Sequence, residues 1–244
     1  MWMKSDTVAT RQAERSPTGV RDILDVLLTV EHLTIAFYYT GLTSHGVMRD
    51  WTLAGPSANP NHPTLPPHGN PSHVRYLQAA LDAEVKHAAA LMQGGATSSY
   101  TGFYFPERTF RSLGTSTDHG SFLGIMETLE SVCEGVYLAA VRELLALNHT
   151  DLALVAAQVM GVEAEHHTLG HILSRIAPAN TTGLINQPFA RVAECLPTLS
   201  SFFTGKHYLF ARDSVRKVSL PSTAHTRRVI GRYGTRQVRR YLWT

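Results

Sequence analysis

Two short stretches carry residue types that could do chemistry: Glu84-Val85-Lys86-His87 and Glu163-Ala164-Glu165-His166. Each sets a carboxylate three residues before an imidazole. On an α-helix three positions amount to roughly 300° of rotation and about 4.5 Å of rise, so both side chains leave one face a turn apart. A carboxylate oxygen and an imidazole nitrogen at that spacing can grip one transition-metal ion. A lone Glu-x-x-His means little in a chain with 13 histidines. Two of them on separate amphipathic segments, each preceded by a segment with its own inward glutamate, point to a metal centre between helices.

The first such glutamate is Glu31. It lies in the apolar stripe of 18–43, three and four residues from Leu28 and Leu27. A charge on that face costs several kcal/mol unless it is paired or bound to a metal. The second emerges from an internal repeat. Aligning Thr29-Val30-Glu31 with Thr128-Leu129-Glu130 brings Tyr38 onto Tyr137. Each Tyr then follows its glutamate by two turns, roughly 10.5 Å along the same face. Ala83-Glu84-Val85-Lys86-His87 aligns likewise with Val162-Glu163-Ala164-Glu165-His166. Glu127 and Glu134, one turn either side of Glu130, compete with it as ligand, and the repeat favours Glu130. Tyr38, Tyr137 and Glu134 are candidate neighbours behind the ligands. His167 and His171 read as an ordinary exposed i, i+4 pair that could also hold a further ion.

The elements that must position these residues are four capped, amphipathic segments. The first helix is expected over 18–43 behind Ser16-Pro17. A loop follows over 46–71, broken by Pro56, Pro60, Pro63, Pro66, Pro67 and Pro71. The second helix runs from Asn70-Pro71 to Gln93 and stops at Gly94-Gly95. Residues 96–116, with Tyr100, Phe103, Tyr104, Phe105 and Phe110, read as an irregular crossover packed on the bundle. The third helix is expected from Thr117-Asp118 to Leu147. The fourth runs from Asp151 to Ile176, with Thr150 as N-cap. A short fifth helix is expected over 188–204. The domain reading is therefore a flexible N-terminus (1–17), a four-helix bundle (18–177) and a C-terminal extension (178–244).

With 244 residues, 43% hydrophobic and 17% charged, the chain suits one domain with a real core and an appendage. No uninterrupted run reaches the ~18 apolar residues of a membrane span. Residues 1–16 lack an apolar signal region, so the expectation is an unexported, cytoplasmic protein. Cys133 and Cys195 sit in no CxxC motif and read as buried small hydrophobes. From Gly205 to Thr244 there are 10 Lys+Arg and one Asp, a net of +9, which leaves 12 Lys+Arg and 18 Asp+Glu, a net of −6, in the rest. A basic tail docked on an acidic body is favoured. The alternative is nucleic-acid binding through Arg227-Arg228 and Arg239-Arg240 with Tyr233 and Tyr241.

The ordered set Glu31, Glu84-x-x-His87, Glu130, Glu163-x-x-His166 resembles the ferritin-like superfamily. Over about 20–177 the chain is most similar to the ferritin-like domain of desiccation-related proteins. The residues that carry this are Thr29-Val30-Glu31-His32 with Phe37-Tyr38, Ala83-Glu84 with His87, Phe103-Tyr104-Phe105-Pro106 with Phe110, and Leu129-Glu130-Ser131-Val132 with Tyr137-Leu138. The resemblance implies an all-α fold, an antiparallel four-helix bundle with a long crossover, here extended by the basic C-terminal segment. It implies two iron or manganese ions bridged by Glu84 and Glu163, with Glu31 and Glu130 as terminal carboxylates and His87 and His166 each closing one ion. The implied function is redox chemistry with oxygen, peroxide or ferrous iron, in a stress-protective setting, with a homo-oligomer compatible. The alternatives are a non-enzymatic stress or scaffold protein, and an oxygen-dependent oxidase of a small organic substrate, which needs a pocket.

Overall fold

A computed structural model describes residues 19–50, 71–176, 184, 188–205 and 214–230. The N-terminal stretch, most of the proline-rich loop, and Tyr233, Arg239, Arg240 and Tyr241 of the tail lie outside the described residues. Four long helices dominate: α1 (Val20–Thr43), α2 (Pro71–Gln93), α3 (Phe122–Ala146) and α4 (Thr150–Leu173). Each is about 35 Å long. α1 packs along α2 and α3 along α4, and the two pairs close on each other through α1 against α3 and α2 against α4. The result is an antiparallel four-helix bundle. α1 is long and apolar enough to cross a membrane although it holds no uninterrupted apolar run of that length, yet 78% of its apolar window is buried within the protein. It is the core helix of the bundle.

The helix ends explain where the expected boundaries shift. α2 stops as its glycines predict: Gly95 turns left-handed (φ 95°), and Ala96 N–H donates back to Leu91 O at 3.0 Å. α3 starts at Phe122, not near Thr117, because Ser121 is the residue whose hydroxyl accepts from Gly124 N–H (3.2 Å). It ends with Asn148 left-handed (φ 62°) and His149 N–H on Leu144 O at 2.8 Å. That sharp reversal lets Ala153 N–H bond His149 O at 3.0 Å. Thr150 is thus the first helical residue rather than the N-cap. α4 closes at Leu173, not Ile176, through Arg175 at φ 62° and the Ile176 N–H bond to His171 O. Within the region read as loop, His45–Met48 forms a helical turn capped by the Ser44 hydroxyl.

The crossover contains a strand that periodicity did not reveal. β1 (Gly102–Pro106) pairs antiparallel with β2 (Val215–Ser219), Gly102 opposite Ser219 and Pro106 opposite Val215. Alternation sends Phe103 and Phe105 inward. Phe105 meets Phe110 and Phe202 at 5.4 Å between ring centroids, and Phe37 stacks on Phe122 at 4.5 Å. This aromatic plug is formed by α1, the crossover, α3 and the extension together. Tyr104 stays half-buried, with Lys217 5.8 Å from its ring centre, and Tyr100, 40% exposed, lies against Phe203.

Where it is described, the extension wraps the bundle. In place of one short helix over 188–204 there are three turns, Val192–Glu194, Cys195–Thr198 and Ser200–Thr204. Pro197 supplies no N–H to continue a ladder. Val192 N–H donates to Glu143 at 2.7 Å, and the Arg142 guanidinium donates to Ala190 O. A last helix, α5 (Thr223–Ile230), lies on α1 and α2, and Gln78 donates to Val229 O at 2.9 Å. Cys133 and Cys195 are both buried and free.

Candidate metal centre

Each long helix sends carboxylate or imidazole groups into the core. Glu31 comes from α1, Glu84 and His87 from α2, Glu130 from α3, and Glu163 and His166 from α4. All four glutamates are 0% exposed, and both histidines are buried. They fall into two overlapping groups, Glu31–Glu84–His87–Glu163 and Glu84–Glu130–Glu163–His166. In each, the possible ligand atoms lie within 4.8 Å of one another, close enough to surround one ion. His87 Nδ1 lies 3.6 Å from Glu31 Oε2, 3.6 Å from Glu84 Oε2 and 3.0 Å from Glu163 Oε1. His166 Nδ1 lies 2.9 Å from Glu84 Oε1, 3.8 Å from Glu130 Oε2 and 3.4 Å from Glu163 Oε2. Glu84 and Glu163 thus turn one oxygen to each histidine, while Glu31 and Glu130 belong to one group each.

These atoms approach without satisfying one another. Glu31 Oε2, Glu84 Oε1, Glu130 Oε2, both oxygens of Glu163, and Nδ1 of His87 and His166 are buried with no hydrogen-bond partner. The short N···O separations therefore do not align donors on acceptors; the atoms face a common space. Unpaired buried polar atoms are expensive, and carboxylates clustered out of water more so. A bound cation answers that cost, and carboxylate oxygen with imidazole is a donor set that first-row transition metals accept. The residues present fit metal ions.

The electrostatics of the metal-free cluster point the same way. Burial, then the Glu84 charge, pushes the Glu31 pKa well above the carboxylate range despite His87. Burial lifts Glu130 too, with Glu163 and Glu84 adding and His166 opposing. For Glu84 burial is outweighed by the two imidazoles, His166 and His87, which hold it below the usual range. Burial disfavours charge on His87 and His166, but the surrounding carboxylates prevail and raise both. Without a cation, the cluster keeps charge balance by holding protons.

Behind the ligands lies a crossed pair that residue spacing did not anticipate. The Tyr38 hydroxyl on α1 donates to Glu130 on α3, and the Tyr137 hydroxyl on α3 donates to Glu31 on α1. Each Tyr serves the other half's glutamate. Once α1 and α3 are antiparallel, Glu and Tyr about 10.5 Å apart on each helix bring each Tyr level with the opposite Glu. Burial, then the nearby carboxylates, raises both phenol pKa values. Thr34 was also overlooked; its hydroxyl lies 3.2 Å from Glu84 Oε2 as donor and 2.9 Å from Glu31 O. Glu127 and Glu134 do not join the core group. Both turn to His167 instead. A mostly apolar recess lined by Leu24, Leu27, Leu91 and Val159 also touches His87 and Tyr137.

An antiparallel four-helix bundle with one buried carboxylate or carboxylate–imidazole pair per helix is the arrangement of the ferritin-like class. A family model for the ferritin-like domain matches residues 19–174, which spans α1 to α4, and the chain belongs to that family. Neither the curated proteins nor the solved structures yield a match.

Proposed function

We propose that this protein is a di-metal carboxylate protein, holding two iron or manganese ions and carrying out redox chemistry with oxygen, peroxide or ferrous iron. The observation that carries the reading is the shared use of Glu84 and Glu163 by two groups, each with buried carboxylate oxygens and an imidazole nitrogen that have no hydrogen-bond partner. Glu84 and Glu163 would bridge, Glu31 and His87 would complete one position, and Glu130 and His166 the other. Bound ions would supply one-electron steps to or from a small oxidant. The chain supplies the rest. Tyr38 and Tyr137 fix the rotamers of Glu130 and Glu31, and Thr34 steadies Glu84. The apolar walls keep bulk water from the His87 side. The apolar recess that His87 and Tyr137 line offers a small apolar oxidant a way to the site. Consumption of such an oxidant fits a role in stress protection, in line with the narrower likeness to desiccation-related proteins.

The test is elemental analysis of protein purified without added metal, followed by a ferrous-iron oxidation assay under air. Two ferrous ions oxidised, with one oxygen reduced by two electrons and two protons to hydrogen peroxide, is the expected minimal stoichiometry. Absence of iron and manganese after exposure to both ions would sink the reading.

A further inference from the structure

The repeat that builds the core fails at one place, and the failure has a pattern. Adding 99 to positions on α1, as Glu31 and Glu130 require, pairs Leu28 with Glu127 and Ile35 with Glu134. Adding 79 to positions on α2, as Glu84 and Glu163 require, pairs Ala88 with His167 and Met92 with His171. The first half has four apolar residues where the second half has two carboxylates and two imidazoles. In the second half those four side chains meet. His167 Nε2 lies 2.7 Å from Glu127 Oε1, and His171 Nε2 lies 3.1 Å from Glu127 Oε2. The His rings, one turn apart on α4, have centroids 4.7 Å apart. Glu127 Oε2 is itself buried and makes no hydrogen bond. His167 Nδ1, on the far edge of its ring, lies 3.1 Å from Glu134 Oε1.

We propose that Glu127, His167 and His171 form a separate, mononuclear divalent-metal site, with Glu134 orienting His167. Two imidazole nitrogens and one carboxylate oxygen lie within 4.8 Å of one another, as one ion requires. Two imidazoles select Zn²⁺, Co²⁺, Ni²⁺, Cu²⁺ or Fe²⁺ over Mg²⁺ or Ca²⁺. Three protein ligands leave coordination positions for solvent, and all three residues are half-buried rather than sealed, so an ion can exchange. With an ion in place of the Nε2 proton that now faces Glu127, the Glu134 carboxylate, accepting from Nδ1–H, would hold the tautomer whose Nε2 ligates. A carboxylate behind a ligating histidine is the usual support of such sites.

The test is calorimetric titration with Zn²⁺ alone, on the full chain and on His171→Ala. The expected result is one fewer equivalent of bound Zn²⁺ in the variant. Glu127→Gln, which keeps the side-chain volume, loses the same equivalent. Glu134→Ala keeps the count and weakens that equivalent by about 10- to 100-fold, the range for lost support of a ligand. Equal Zn²⁺ counts in the wild type and His171→Ala overturn the proposal and leave an ion-paired His–Glu cluster only. The same comparison in a Glu84→Ala, Glu163→Ala background separates this site from the core. If the core binds no metal, the difference of one equivalent persists; if this site is absent, the difference vanishes whatever the core does.

Discussion

The α1–α2 half and the α3–α4 half reach the same inner geometry by different means. α3 and α4 are joined by a three-residue turn, Leu147 to His149, while α1 and α2 are separated by 44–70 in sequence. Yet Glu31 and Glu130, Glu84 and Glu163, His87 and His166, and Tyr38 and Tyr137 take equivalent places. The glutamate, histidine and tyrosine positions at the candidate centre are matched between halves. Positions one turn off that face diverge, as at Leu28 and Glu127. The matched positions obey electrostatics that only the complete set satisfies. The divergent ones are free to serve packing in one half and another ligand in the other.

The strongest way to break the comparison is to delete a shared residue. Glu84→Ala or Glu163→Ala removes an oxygen from both groups at once, so neither half retains its metal. In the wild type, metal at 100 times its dissociation constant should stabilise the fold by about 2.7 kcal/mol, and a chelator should reverse this. In either variant, with His171→Ala also present so that the separate Glu127–His167–His171 site is empty, the melting temperature should no longer respond to the chelator. A chelator response that survives in both variants would place the metal elsewhere.

Unshared ligands should break one half only. His87→Ala and Glu31→Ala should lower the core iron or manganese count from two to one, as should His166→Ala and Glu130→Ala. Gel filtration with elemental analysis reads the count in a His171→Ala background, where only the core binds. If any of these four variants empties the core, the two positions fill cooperatively and are not separable by half.

A smaller effect tests the crossing of the tyrosines. Tyr38→Phe should weaken the Glu130–His166 position, and Tyr137→Phe the Glu31–His87 position. Each leaves a buried carboxylate oxygen without its donor, a loss of about 1–3 kcal/mol. The check is a double-mutant cycle: Tyr38→Phe should couple to Glu130→Gln and not to Glu31→Gln. Coupling to the glutamate on the same helix would mean that the crossed geometry is wrong.

How much of this was legible in the sequence follows from the range of the interactions. The inward faces were legible because 3.6-residue spacing is local, and the pairing of Glu31 with Glu130 because a short motif, Thr-x-Glu with Tyr seven residues on, recurs 99 residues later. The end of α2 was legible because Gly95 is the residue a left-handed closure favours; Asn148 and Arg175 do the same work with weaker signals. β1 was not legible: its partner β2 lies more than 100 residues away, and GFYFP alternates over too few residues to betray a strand. The tyrosine crossing and the Glu127–His167–His171 cluster depend on α3 being antiparallel to α1 and α4, a relation between helices that no single segment displays.

The smallest expected effect falls where the halves differ within the centre itself. The repeat sets Thr34 against Cys133, both fully buried. The Thr34 hydroxyl donates to Glu84, whereas Cys133 carries a thiol, whose pKa burial, then the Glu163 charge, pushes well up. A protonated thiol is a weak donor, so Glu163 lacks the support that Glu84 has. Thr34→Val should therefore lower stability by about 0.5–1.5 kcal/mol, the net worth of one buried hydrogen bond, or a few degrees of melting for a chain this long. Cys133→Val, similar in size and without a strong bond to lose, should change it by less. Cys133→Thr should then give Glu163 a hydroxyl donor and tighten metal binding modestly, making the second half more like the first. Equal losses from Thr34→Val and Cys133→Val would show that packing, and not the hydroxyl, is what this pair of positions contributes.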